Sequence, residues 1–205
     1  LILKTIKEHK RIIFNGNGYD DSWVQEAEKR GLLNLKSTPE AYSHLLDAKN
    51  KKVLSEHGIL SEVELASRYE IYNENYSKVI NIEALTMLDM AKKLYLPAAS
   101  KYAKELAEIV SLKKAAGGAD DSYESELLAK VSSLTASIYN KVKALDKAVI
   151  EAKNVSETGA LALYYRNTVF QAMSELRENV DELEGCVPAE VWPVPSYADL
   201  LFSVK

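Results

Sequence analysis

Gly16 and Gly18, within Phe14-Asn15-Gly16-Asn17-Gly18-Tyr19, stand where a backbone could close around an anion ahead of a helix, since glycine lets amide groups approach a phosphate. The third glycine of a dinucleotide fingerprint and the Lys-Ser/Thr pair of a P-loop are missing. Turn chemistry accounts for the same residues, because Asn and Gly tolerate positive φ where a chain reverses. We read the segment as a structural loop whose Asn15, Asn17 and Tyr19 hydrogen-bond a neighbouring domain. A small-molecule regulatory site is the weaker reading.

Other reactive side chains are scattered. His9, His44 and His57 fall in three separate elements with no second ligand three or four residues away, so no metal site is expected. Cys186 lacks a CxxC partner and the local His of a nucleophile, and a buried spectator role is expected. Acidic pairs such as Glu70 and Glu74, or Glu175 and Glu178, would need Glu-x-x-His motifs to hold a di-iron centre; solvated helix faces explain them. Glu70 and Glu83 are read as weak partners of basic residues such as Arg68 or Lys78. No catalytic, cofactor or metal residue is assigned.

The 26 basic and 30 acidic residues alternate to a net charge of -4, leaving no cationic field for nucleic acid or an anionic membrane. No apolar run approaches the roughly 20 residues that span a bilayer. A single cysteine excludes an internal disulfide, and a cytoplasmic origin is expected. The 205 residues are long enough to bury on the order of 70% of the unfolded surface.

Five prolines and eight glycines fall at boundaries, the punctuation of an all-α chain. A first helix ends near His9; Asp20 or Asp21 caps a second that turns Trp23, Val24 and Ala27 inward and stops at Gly31; Thr38 caps a third, with Pro39 at its first position. Ser61-Glu62-Val63-Glu64 is a capping box that opens the longest element. Its stripes are Leu65, Tyr69, Tyr72, Tyr76 and Val79, then Ile80, Ala84, Met87, Ala91, Leu94 and Ala98, with a kink expected at Pro97. An unbroken helix from 61 to 96 would run about 54 Å at roughly 1.5 Å per residue, long enough to project or bridge.

Beyond Gly117-Gly118, Leu127, Val131, Leu134, Ile138, Val142, Leu145 and Val149 form one stripe. Leu161, Tyr165, Val169, Ala172, Leu176, Val180 and Leu183 form its antiparallel match. The expected fold is a bundle of long amphipathic antiparallel helices, residues 61–185, with shorter helices before it in 1–60 and an extended Pro/Trp tail, 186–205. In that tail Trp192-Pro193-Val194-Pro195 is a strap on the bundle, and Trp192, Leu200, Leu201 and Phe202 are expected to dock.

His9 to Tyr19 and Trp192-Pro193-Val194-Pro195-Ser196-Tyr197-Ala198-Asp199-Leu200-Leu201-Phe202 resemble the two ends of the C-terminal region of type III glutamine synthetases. Ser67-Arg68-Tyr69-Glu70-Ile71-Tyr72 and Ile82-Glu83-Ala84-Leu85-Thr86-Met87 resemble the same region, which is least similar from about residue 110 to 160. Ala198 stands where that pattern has glycine. The resemblance implies a fragment of an enzyme that makes glutamine from glutamate, ammonia and ATP, with ATP and Mg bound by an upstream catalytic domain and not by this segment. It further implies packing on that domain, through Asn15, Asn17, Tyr19, Trp192 and Tyr197, and a homo-oligomer, the family's dodecamer. A start at Leu1 without Met, already in helical phase, fits an excised piece. The competing reading is an independent helical protein-interaction module.

Overall fold

A computed structural model describes residues 1–202. Every regular element among them is helical, so the all-α class holds. Helix α1 is Ile2–Glu8, α2 Asp21–Lys29, α3 Thr38–Ser43, α4 Ala48–Glu56 and α5 Glu62–Met90. A π-turn, Ala91–Tyr95, joins α5 to α6, Leu96–Ala115. The long α7, Ser122–Ala152, is followed by α8, Thr158–Tyr164, a second π-turn, Tyr165–Val169, and α9, Phe170–Glu184. Helix α10, Tyr197–Leu201, lies in the tail.

The core forms where α7 is covered by α6 on one side and α9 on the other. Val131, Leu134, Ile138, Val142, Leu145 and Val149 are buried along α7, and Tyr165, Val169, Leu176 and Leu183 answer them from the α8–α9 arm. Burying each such side chain removes roughly 1.5–3 kcal/mol of apolar exposure. The hairpin between α6 and α7 turns on Gly117 and Gly118, whose φ values of 87° and 117° suit glycine alone. Lys113 closes that turn with bonds of 2.6 and 2.7 Å to the Glu124 carboxylate and 3.0 Å to the Asp120 carbonyl.

Helix α5 begins at the capping box foreseen from Ser61 and Glu64. Its buried line differs from the expected one: Tyr72 and Val79 are 36% and 44% exposed, whereas Asn73 and Ser77 are buried. Two polar residues sit inside because their side chains find partners on their own helix. Asn73 Nδ2 donates to the Tyr69 carbonyl at 3.0 Å, and Ser77 Oγ donates to the Asn73 carbonyl at 2.9 Å. Leu94, read as part of the second stripe, is 38% exposed. Helix α8 packs on α5 so closely that a Cβ on Gly159 would lie 1.9 Å from the Tyr69 hydroxyl. Further along the same pair of elements Tyr165 donates to Asn81 Oδ1 at 3.1 Å.

Several expectations are corrected. The break foreseen at Pro97 is a π-turn just before it, where Leu96 N–H bonds to the Ala91 carbonyl. Widening the turn there accommodates a proline ring that crowds the carbonyl four residues back. Helix α3 is capped by Ser37 instead of Thr38, putting Pro39 in the second helical position, and α4 was not anticipated. Gly16 and Gly18 do not have positive φ; among the glycines described only Gly31, Gly58, Gly117 and Gly118 do. Trp192 docks, but Leu200, Leu201 and Phe202 are 61%, 71% and 81% exposed, because Ser196 and Asp199 form a capping box that turns the chain into α10. Ala198 is helical there, so no glycine is required. Cys186 is half-buried, its thiol donating to the Glu182 carbonyl at 3.3 Å. Arg68 donates to the Tyr72 hydroxyl and Lys78 pairs with Glu74 at 2.6 Å, so neither serves Glu70 or Glu83. Residues 203–205 of the expected tail lie outside the described residues.

Two measurements check this packing. Gly159→Ala should destabilise the chain by about 1–3 kcal/mol in urea, and Tyr69→Phe should recover much of the loss by removing the hydroxyl in its way. The second concerns pH. The Ser61 backbone N–H and hydroxyl bonds hold the Glu64 carboxyl below its usual range. A folded-state value below the unfolded one means that the cap contributes fully above the ordinary carboxylate range and is lost as pH falls through the lowered value. The protection factor of the Ser61 amide, its exchange rate referred to the intrinsic rate at each pH, should therefore fall only on that acid side, and Glu64→Gln should remove that fall.

Candidate functional site

Three places on the surface stand apart from the plain helix faces. The first is the loop after α1. Phe14 folds back onto Trp23, ring centres 4.3 Å apart, and Arg30 covers both rings at 5.8 and 6.0 Å. The guanidinium also donates to the carbonyls of Ile13 and Arg11, and its Nε reaches Glu26 at 2.7 Å. Gly16 is fixed by close approach: a Cβ there would lie 2.5 Å from Phe14 Cζ. Asn17 Oδ1 accepts from the Tyr19 N–H at 3.1 Å, an Asx-turn that leaves the Tyr19 ring fully exposed. The offset of Arg30 from Phe14 in the sequence carries no local pattern that would have shown the stack.

The second place is the tail. Trp192 stacks on Tyr95 with centres 5.1 Å apart and planes 13° from parallel, and burial pushes the Tyr95 hydroxyl pKa up. Pro193 and Pro195 then carry the chain away to Tyr197, which is 84% exposed. Of the five residues singled out, Asn15, Asn17 and Tyr19 share one loop, while Trp192 and Tyr197 lie in the tail, Trp192 turned inward and Tyr197 outward.

The third place, which the sequence did not reveal, is a groove of about 420 Å³ between the C-terminal half of α5 and α9. Met87 and Met90 line one wall and Met173, Leu176 and Val180 the other, with Glu83, Arg177 and Asp181 at the rim. The site lay hidden because its walls are 80 residues apart in the chain.

None of these places gathers reactive groups. Carboxylates held below their usual range, such as Glu124 beside Lys113 and Glu175 beside Lys141, are in surface ion pairs. The raised tyrosines, including Tyr76 and Tyr165, are raised by burial. His44 is hydrogen-bonded to Asp47 at 2.8 Å. Among the described residues no group of three or more His, Cys, Asp or Glu side chains is placed to hold a metal ion, and no helix is long and apolar enough to cross a membrane.

Comparison with known proteins gives the chain its relatives. Residues 1–114 match the glutamine synthetase C-terminal domain. A glutamine synthetase of Butyrivibrio fibrisolvens is 37% identical over 206 residues, all of this chain and 29% of the relative. A type-3 glutamine synthetase of Dictyostelium discoideum is 38% identical, covering 98% of this chain and 28% of the relative. A glutamine synthetase of Bacteroides fragilis is 32% identical, with 98% and 29% covered. The chain thus spans under a third of the length of the curated relatives it matches, and the match to them runs through α1 to α10, past the stretch of the family domain. It belongs to the glutamine synthetase C-terminal domain family.

Proposed function

We propose that this chain is the helical C-terminal part of a type III glutamine synthetase, a scaffold that packs on the catalytic part of its own polypeptide and supports its assembly. The parent enzyme joins glutamate and ammonia at the expense of ATP. The observation that carries the reading is α1. Its seven residues include no buried side chain, and Leu1, Ile2, Leu3 and Ile6 are 103%, 77%, 67% and 47% exposed. A helix that short is not stable alone in water, so its apolar side calls for a neighbour.

ATP and Mg²⁺ are assigned to the rest of the polypeptide. No reaction step runs through this chain. Assembly into a homo-oligomer, the dodecamer of the family, and a cytoplasmic location complete the proposal. The other reading, an independent interaction module, draws support from the exposed Tyr197, Leu201 and Phe202 of α10. The gene upstream of Leu1 separates the two: several hundred preceding codons with Glu-x-Glu pairs favour the synthetase.

The isolated 205-residue chain should form no glutamine from glutamate, ammonia and ATP. Deleting these residues from the full polypeptide should abolish its oligomer in size-exclusion chromatography and its turnover. Glutamine synthesis by the isolated chain, or an unaltered oligomer after deletion, refutes the scaffold role.

A further inference from the structure

The sequence Ile82-Glu83-Ala84-Leu85-Thr86-Met87 was singled out early and has no place in the core beyond Ala84 and the partly sunk Met87. Ala84 is fully buried and Leu88 nearly so, which pins this stretch of α5 to the bundle. The helix phase then turns Ile82, Glu83, Thr86 and Met90 outward along the groove facing α9. Ile82 is 63% exposed, and Val79 and Leu85 beside it are 44% and 49%. An apolar strip of this kind at the mouth of a preformed groove is the signature of a contact surface.

The lining is adaptable as well as apolar. All three methionines of the chain, Met87, Met90 and Met173, stand in the groove, and flexible thioethers fit themselves to an incoming side chain. The rim has one uncompensated charge. Arg177 is paired with Asp181 at 3.3 Å, whereas Glu83 has no ion pair among the described residues. Its complement is a cation.

We propose that this groove seats an apolar segment bearing a lysine or arginine opposite Glu83, supplied by the part of the synthetase polypeptide outside residues 1–205. The proposal rests on the scaffold reading above and names the surface through which it acts. The source follows from length: more than two thirds of each relative lies outside the stretch that this chain matches. The α5 wall of the groove falls within the matched family domain.

The test uses the full-length polypeptide with the photo-reactive residue p-benzoylphenylalanine in place of Ile82, and separately in place of Val63, a more exposed site about 28 Å away along α5 at roughly 1.5 Å per residue. Irradiation should join position 82, and not position 63, to a peptide from outside residues 1–205. Adding Glu83→Lys should cut that yield roughly tenfold by setting like charges against each other. An intermolecular cross-link from position 82 into residues 1–205 of a second copy overturns the proposal, as does capture of an unrelated protein or the absence of any cross-link to a peptide from outside residues 1–205. These failures are separable from failure of the scaffold reading, which is decided by whether deletion of residues 1–205 leaves the oligomer and turnover intact.

Discussion

The burial of one face of α7 is the constraint on which the rest of the structure depends. Its stripe from Val131 to Val149 repeats every three or four residues over about five turns, and no single neighbour is wide enough to cover it. Helix α6 folds back over one flank through the Gly117–Gly118 hairpin, and α9 returns along the other after the turn at Asn154. Helix α5 is then held by continuity with α6 and by α8 against its first half. The π-turns at Ala91–Tyr95 and Tyr165–Val169 lie where these arms change partners, each shifting the phase of its helix so that both halves keep an apolar side inward.

Legibility in the sequence followed the chemistry of each segment. The α7 stripe was read nearly residue by residue because its buried positions are apolar; on the α8–α9 arm Tyr165, Val169, Leu176 and Leu183 were read, whereas the buried Ala162 and Met173 were not and Leu161, Ala172 and Val180 are half-buried. The α5 stripe slipped because Asn73 and Ser77 occupy buried positions, satisfied largely by their own helix backbone, while the apolar Val79 and Ile82 face out. Caps were legible where a side chain bonds a local amide, as at Ser61 and Asp20, and misplaced at Thr38, where Ser37 makes no side-chain cap bond. The Asn-Gly loop was found, but its cause was not: a side chain at Gly16 would meet the Phe14 ring lying over it, and positive φ plays no part there. Nothing local announces a stack between Phe14, Trp23 and Arg30, or a groove between helices distant in sequence.

The two ends of the chain share a physical character that the bundle lacks. The short helices α1 and α10, with their flanking Leu1 and Phe202, turn apolar side chains outward, and Val79, Ile82 and Leu85 do the same on α5. The core satisfies itself without them. Apolar residues in excess of what a core needs, together with dispersed ionisable groups engaged in caps and ion pairs, support the proposal of a body that works by contact. That is the role expected of a domain making up under a third of the polypeptides to which it is related.

Amide hydrogen exchange at Ile2–Glu8 tests the central claim most directly, because among the described residues this helix buries no side chain. Within the full-length synthetase the account predicts protection comparable to that of the α7 core, with the same amides exchanging at nearly unstructured rates in the isolated chain. Fast exchange at Ile2–Glu8 in the full-length, assembled protein would contradict it.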